Sequence, residues 1–166
     1  MRQLALLLFL FLAACAPVER APEPEPLGIV DFIAVDKSDR TLTVYRSGRA
    51  IRTFSGIALG DSPEGHKRFE GDERTPEGRY VIDTRNPDSA YHLSLRISYP
   101  NARDRAFAEG QGLSPGGDIF IHGQPNGLPA GRIPGDWTDG CIAVSNDEIE
   151  ELWAAVPDGT PIEITP

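Results

Sequence analysis

Two side chains near the C-terminal end of the chain have the types and spacing for covalent chemistry together. His122 closes the apolar run Ile119-Phe120-Ile121, and Cys141 follows the turn Trp137-Thr138-Asp139-Gly140, with 18 residues between them. A thiol attacks well only as it loses its proton, and an imidazole is its usual acceptor. A thiolate beside an imidazolium is favoured by opposite charge. The pairing therefore predicts a Cys141 thiol that ionises well below the free value of about 8.5. Gly140 lets the backbone approach a reacting carbonyl, so the amide groups of Asp139, Gly140 and Cys141 are candidate oxyanion donors. Asp136 and Asp139 are candidates for an acidic third member, although a backbone carbonyl can orient an imidazole as well. Taken singly, a free cysteine reads as a small buried hydrophobe and a lone histidine as structural. Their pairing across a sharp turn points to catalysis.

These groups need elements to hold them. Ile119–Ile121 and Ile142–Val144 read as short buried strands joined by the Gly- and Pro-rich loop 124–136. Upstream, Ile29–Val35, Thr41–Tyr45 and Ala50–Leu59 read as three strands in hairpins, which predicts an antiparallel β architecture. Tyr91–Tyr99 alternates, with Tyr91, Leu93, Leu95, Ile97 and Tyr99 on the core face. The other face carries His92 and Arg96, which either line a cleft over the thiol or meet solvent. Asn101–Glu109 reads as a short helix, and Ser145 with Glu148 forms a capping-box signal before a second one. Pro161–Ile164 is a last short strand. Thr75–Gly78 reads as a structural corner, and His66, in the polar stretch 64–68, as an exposed loop residue. The glycine-rich segments 110–117 and 124–136 are expected to flank the substrate and to open easily.

The pair His122-Gly123 followed by Thr138-Asp139-Gly140-Cys141 resembles the signature of the L,D-transpeptidase (YkuD-domain) family. The strand Leu42-x-Val44-Tyr45 and the turn Thr75-Pro76-x-Gly78-x-Tyr80 extend the likeness over about residues 28–165. The resemblance implies a mainly β fold, a β-sandwich or barrel with one or two short helices. It implies Cys141 as nucleophile, His122 as base, and peptidoglycan stem peptides as substrate, cut at an L,D bond beside meso-diaminopimelate. Gly123, Thr138, His92 and Arg96 are the candidate substrate contacts, and no cofactor or metal is implied. Many members carry a second histidine where this chain has Asp139, and Asn or Arg where it has Ala143. An amine that resolves the thioester gives a crosslink or an attached lipoprotein. Water instead gives a hydrolase, an amidase or an L,D-endo- or carboxypeptidase. A non-catalytic wall-binding lipoprotein is the third reading, and the solitary thiol argues against it.

The 166 residues hold 16 basic and 25 acidic side chains, a formal charge of −9, with no basic cluster. Such a chain repels nucleic-acid phosphates, which disfavours a nucleic-acid partner. The first residues differ in kind: Met1-Arg2, the apolar run Leu4–Leu12, then Leu12-Ala13-Ala14-Cys15. That is the anatomy of a secretory signal, and its end resembles a bacterial lipobox. The expected organisation is a signal peptide over 1–14, a lipidated Cys15 with a Pro/Glu-rich tether over 15–27, and a catalytic domain over 28–166. Plain cleavage after Ala14 or a nearby small residue is the alternative. The chain is thus expected to be exported to the periplasm and lipid-anchored, and Ala16 after the cysteine favours the outer membrane. With Cys15 committed to lipid, Cys141 is the one remaining thiol. An unpaired thiol in an oxidising compartment argues for use.

Overall fold

Period-two alternation builds the first part of the sheet. In β1 (Phe32–Asp36) Ile33 and Val35 point inward, and in β2 (Thr41–Arg46) Leu42 and Val44 do the same. β3 (Arg49–Ser55) returns antiparallel to β2 and stops where Gly56 takes a φ of 68°. The computed structural model describes residues 25–128 and 131–166, so the leader, Cys15 and most of the tether lie outside them. β4 (Gly78–Ser89) and β5 (His92–Ile97) form a long hairpin. Helix α1 (Ala102–Gly110) follows, then the short strands β6 (Phe120–His122) and β7 (Ile142–Ala143). Helix α2 (Asn146–Ala155) and strand β8 (Pro161–Thr165) complete the order.

The strands form one eight-stranded sheet in the order β3-β2-β1-β8-β4-β5-β6-β7. Its two edges meet. Directly after β3, Ala58 exchanges hydrogen bonds of 2.9 and 2.8 Å with Ala143 of β7, so the sheet curls toward a barrel. The core lies inside that curl and under α2: Ile33, Leu42, Ile82, Leu95, Ile121, Ile142 and Ile164 are at most 1% exposed. This is the mainly β fold with two short helices that the sequence predicts. The antiparallel pairing expected from the hairpins holds for most neighbours, but β8 pairs parallel to β1 and β7 parallel to β6. The C-terminal strand reaches its place only by inserting between β1 and β4, a pairing with no local signal.

Helix α2 fixes the far side of the site. Ser145 caps it, accepting from Glu148 N while the Glu148 carboxylate accepts from Ser145 N. A cap of this kind contributes about 1 kcal/mol. Ile149 and Leu152 are fully buried against β5 and β6, which sets the height of the helix over the end of β6. In α1, by contrast, the capping residue Asn101 is joined by a buried acid, Asp104. Asp104 accepts from Tyr80 Oη at 3.0 Å and from His66 Nε2 at 3.1 Å. His66 Nδ1 in turn accepts from Glu77 N at 2.8 Å. His66 is therefore a bound, half-buried strut and not the exposed loop residue expected; its polar sequence neighbours hide that.

Candidate active site

β6 and β7 lie side by side with Ile121 opposite Ile142, which places His122 at the end of one strand and Cys141 at the start of the other. Both line one cleft of about 500 Å³, with Tyr91, Ser94, Asp118, Trp137 and Asp139 among its walls. Ile121 and Ile142 are fully buried on either side, so the two functional residues are carried on rigid backbone.

The imidazole is oriented by a carbonyl. His122 Nδ1–H donates to Gly123 O at 2.7 Å, which leaves Nε2 as the basic nitrogen. Asp136 does not serve as a third member: it pairs with Arg40 at 2.7 Å and accepts from Leu59 N at 2.9 Å. Gly123 has no room for a side chain, since a Cβ would lie 2.6 Å from Asn146 Oδ1 and 3.1 Å from His92 Cβ. Its part is to present the orienting carbonyl, not the substrate contact expected. Tyr91 stacks on the His122 ring at 4.5 Å and Trp137 meets its face edge-on at 5.8 Å. Burial pulls the His122 pKa below its ordinary value, partly opposed by the bond to Gly123. That direction favours the neutral imidazole at pH 7.

The turn before the thiol is held by Thr138. Its hydroxyl donates to Cys141 O at 2.7 Å and accepts from Gly140 N at 3.2 Å. Thr138 is thus consumed in shaping the turn and has no donor left for substrate. Gly140 N–H is likewise engaged, so of the expected oxyanion donors those with no partner among the described residues are the N–H groups of Asp139 and Cys141. Gly140 itself is obligatory: its φ is 131°, and a Cβ would sit 2.6 Å from Arg74 O. The Thr75 corner therefore backs the turn, with Thr75 Oγ1 accepting from Gly60 N at 2.9 Å.

The sulfur accepts from Phe120 N at 3.4 Å and faces Asp118 O at 3.5 Å. Cys141 keeps partial exposure at the cleft, yet protein atoms crowd its sulfur. Burial pushes the thiol up to about 11, with Asp139 and Asp118 adding to the shift and Phe120 N–H and Lys67 opposing it. Desolvation penalises both charged forms, which works against the thiolate–imidazolium pair expected from the sequence.

His92 and Arg96 stand outside the cleft. His92 Nε2 meets Glu150 on α2 at 2.7 Å, and Arg96 is held by Asp83 at 2.8 Å. The hairpin turn explains the first: His92 takes a φ of 68°, which turns Tyr91 away from the core face and into the site. The residue of that strand that does line the cleft is Ser94, on the polar face between them. Tyr91, Ser94 and Trp137 were the functional candidates that pattern reading passed over. For Ser94 the signal was present, since it shares the alternation of His92 and Arg96. Among the described residues no group of three or more His, Cys, Asp or Glu side chains is placed to hold a metal ion.

A thiol, an imidazole oriented by a carbonyl and the backbone amides of one turn thus stand around a single cleft. The family description of the L,D-transpeptidase catalytic domain (YkuD) matches residues 31–164, and the chain belongs to this family. Over 94% of the chain it is 29% identical to YafK of Escherichia coli, a protein named with the L,D-transpeptidases, of which the match spans 64%. It is 30% identical to YkuD of Bacillus licheniformis over 81% of the chain and 65% of that protein. Among solved structures, the helical cell shape determining protein Pgp2 of Campylobacter jejuni matches with a TM-score of 0.62 and 27% identity, over 86% of the chain and 51% of Pgp2. Bd1075 of Bdellovibrio bacteriovorus matches with a TM-score of 0.56 and 30% identity, over 84% of the chain and 51% of Bd1075. The chain therefore spans less than two thirds of the length of these relatives.

Proposed function

We propose that the chain is a cysteine acyltransferase acting on peptidoglycan stem peptides. The observation that carries this is the single cleft shared by Cys141 and His122, with the imidazole held by Gly123 O in the tautomer of a base. His122 Nε2 takes the Cys141 proton as the sulfur attacks the amide carbonyl carbon. The C–N bond breaks, His122 protonates the departing amine, and a thioester remains. The N–H groups of Asp139 and Cys141 face the oxyanion. An incoming amine reverses the sequence and frees the thiol.

Hydrolysis is the second reading, favoured by one observation: the cleft is open to solvent, with Asp139 and Tyr91 exposed at its walls. Water then competes with an amine for the thioester. Incubating purified sacculi with the full chain, with and without added amine, separates the two by muropeptide mass. Products joined to the amine support transfer; shortened stems alone support hydrolysis; unchanged muropeptides contradict both.

We infer further that the protein is exported and anchored by a lipid on Cys15, with the Pro/Glu-rich stretch as a tether. The support is the apolar run ending in Leu12-Ala13-Ala14-Cys15. Palmitate labelling should mark the wild type and not Cys15→Ala. Label on both would refute the anchor.

A further inference from the structure

The carbonyl that orients His122 belongs to a peptide whose other end is also held. Gly123 O and Gln124 N–H are the two polar ends of one planar unit and point in opposite directions. The oxygen accepts from His122 Nδ1 at 2.7 Å, and Gln124 N–H donates to Asn146 Oδ1 at 2.8 Å. A backbone N–H can only donate, so the carboxamide atom facing it is the oxygen. Asn146, the peptide and the imidazole therefore form one line of hydrogen bonds that ends at the base.

The end of the strand makes that line necessary. β6 stops at His122, so the Gln124 N–H has no ladder to join. Gln124 is 2% exposed, and an unpaired N–H there would carry its full desolvation cost. Its side chain is tied as well, Nε2 donating to Val144 O at 2.7 Å and Oε1 accepting from Ile133 N at 2.9 Å. Asn146 is the first residue of α2, which buried Ile149 and Leu152 hold in place. Its carboxamide reaches the peptide because Gly123 has no Cβ, which would lie 2.6 Å from Asn146 Oδ1. Asn146 is not among the residues lining the cleft, so it can act on the chemistry only through this peptide.

We propose that Asn146 is a positioning residue for the base, holding and polarising through the Gly123–Gln124 peptide the carbonyl that orients His122. This rests on the acyl-transfer reading of the site and adds a member to it. As His122 Nε2 takes the thiol proton, the ring becomes a cation whose Nδ1–H stays on Gly123 O. No proton passes to the peptide or to Asn146. A carbonyl whose own amide N–H already donates carries more negative charge on its oxygen, so it stabilises that cation better.

Asn146→Ala removes the acceptor and leaves a good helix former behind the Ser145 cap. With a tetrapeptide stem, kcat of the full chain should fall about tenfold, the worth of one hydrogen bond to a developing charge. KM should stay nearly unchanged, because Asn146 does not line the cleft. Asn146→Asp keeps an acceptor at the same reach and adds a negative charge, so it should recover most of the loss on the alkaline plateau. Imidazole NMR titration reads the base without any peptidoglycan. Relative to wild type, His122 should protonate at lower pH in Asn146→Ala and at higher pH in Asn146→Asp. The titratable groups that share its cleft, Cys141, Tyr91, Asp118 and Asp139, are the same in all three proteins. His66, held by Asp104 on α1, is the internal control. An unchanged kcat in Asn146→Ala would overturn the role. So would a loss that Asn146→Asp leaves in place while the His122 titration stays fixed in both variants. Should Asn146→Ala fail to fold, a wild-type His122 titration in Asn146→Asp overturns it alone. Titrations that move as stated in a protein that leaves stem peptides untouched would support the positioning role and overturn the peptidoglycan reading.

Discussion

Replacing Cys141 by alanine or serine is expected to abolish turnover of stem peptides, a loss of about 10⁴-fold or more, as for other covalent nucleophiles. Among the described residues Cys141 is the one thiol, and it sits where Phe120 N–H and the free amides of the turn converge. A serine there is the sharper test. It keeps the size and the fold, but its hydroxyl is far harder to deprotonate, and His122 alone cannot make up the difference. Circular dichroism of the Cys141→Ser chain should match the wild type, and chromatography of digested sacculi should show no new muropeptide. Retained turnover in that variant contradicts the assignment.

The second large effect concerns His122 and pH. His122→Ala should slow acylation by roughly 10²-fold, the usual worth of lost general acid–base help. The two losses should be strongly non-additive, because the residues act as one unit. Since burial holds the His122 pKa below the ordinary 6.5, acylation should gain its base only as pH rises through that depressed value. It should then run flat, because the thiol keeps its proton until about pH 11. Alkylation by a neutral reagent, which needs the thiolate, should instead keep climbing from pH 7 to 10. A pre-formed thiolate–imidazolium pair demands the opposite: an alkylation plateau at neutral pH that disappears in His122→Ala. The same rate series thus discriminates the neutral pair from the ion pair.

Much of this site is written in local pattern. The period-two strand β2, the Ser145–Glu148 capping box and the Gly140-Cys141 turn each depend on neighbours a few residues away and fall where pattern reading places them, whereas β1 begins at Phe32 and not at the expected Ile29, which is exposed. What pattern misses is non-local. Ala50–Leu59 reads as one strand, but Gly56 breaks it, and Ile57–Leu59 then crosses to the far edge of the sheet. Tyr91 belongs by alternation to the core, but the positive φ at His92 interrupts the alternation before the strand begins. A related non-local factor bears on the thiol. Pairing rules count the opposite charge and not the desolvation, which depends on how Tyr91, Trp137 and Phe120 fold around the pair.

The central claim is that Cys141 forms a thioester with a stem peptide, helped by His122. Rapid-quench intact-protein mass spectrometry of the full chain with a tetrapeptide stem tests it most directly. The result expected is a transient mass increase equal to the acyl part of the peptide, mapping to Cys141, slower to appear in His122→Ala and absent in Cys141→Ala. Product formation without any adduct, or an adduct mapping to another residue, would contradict it.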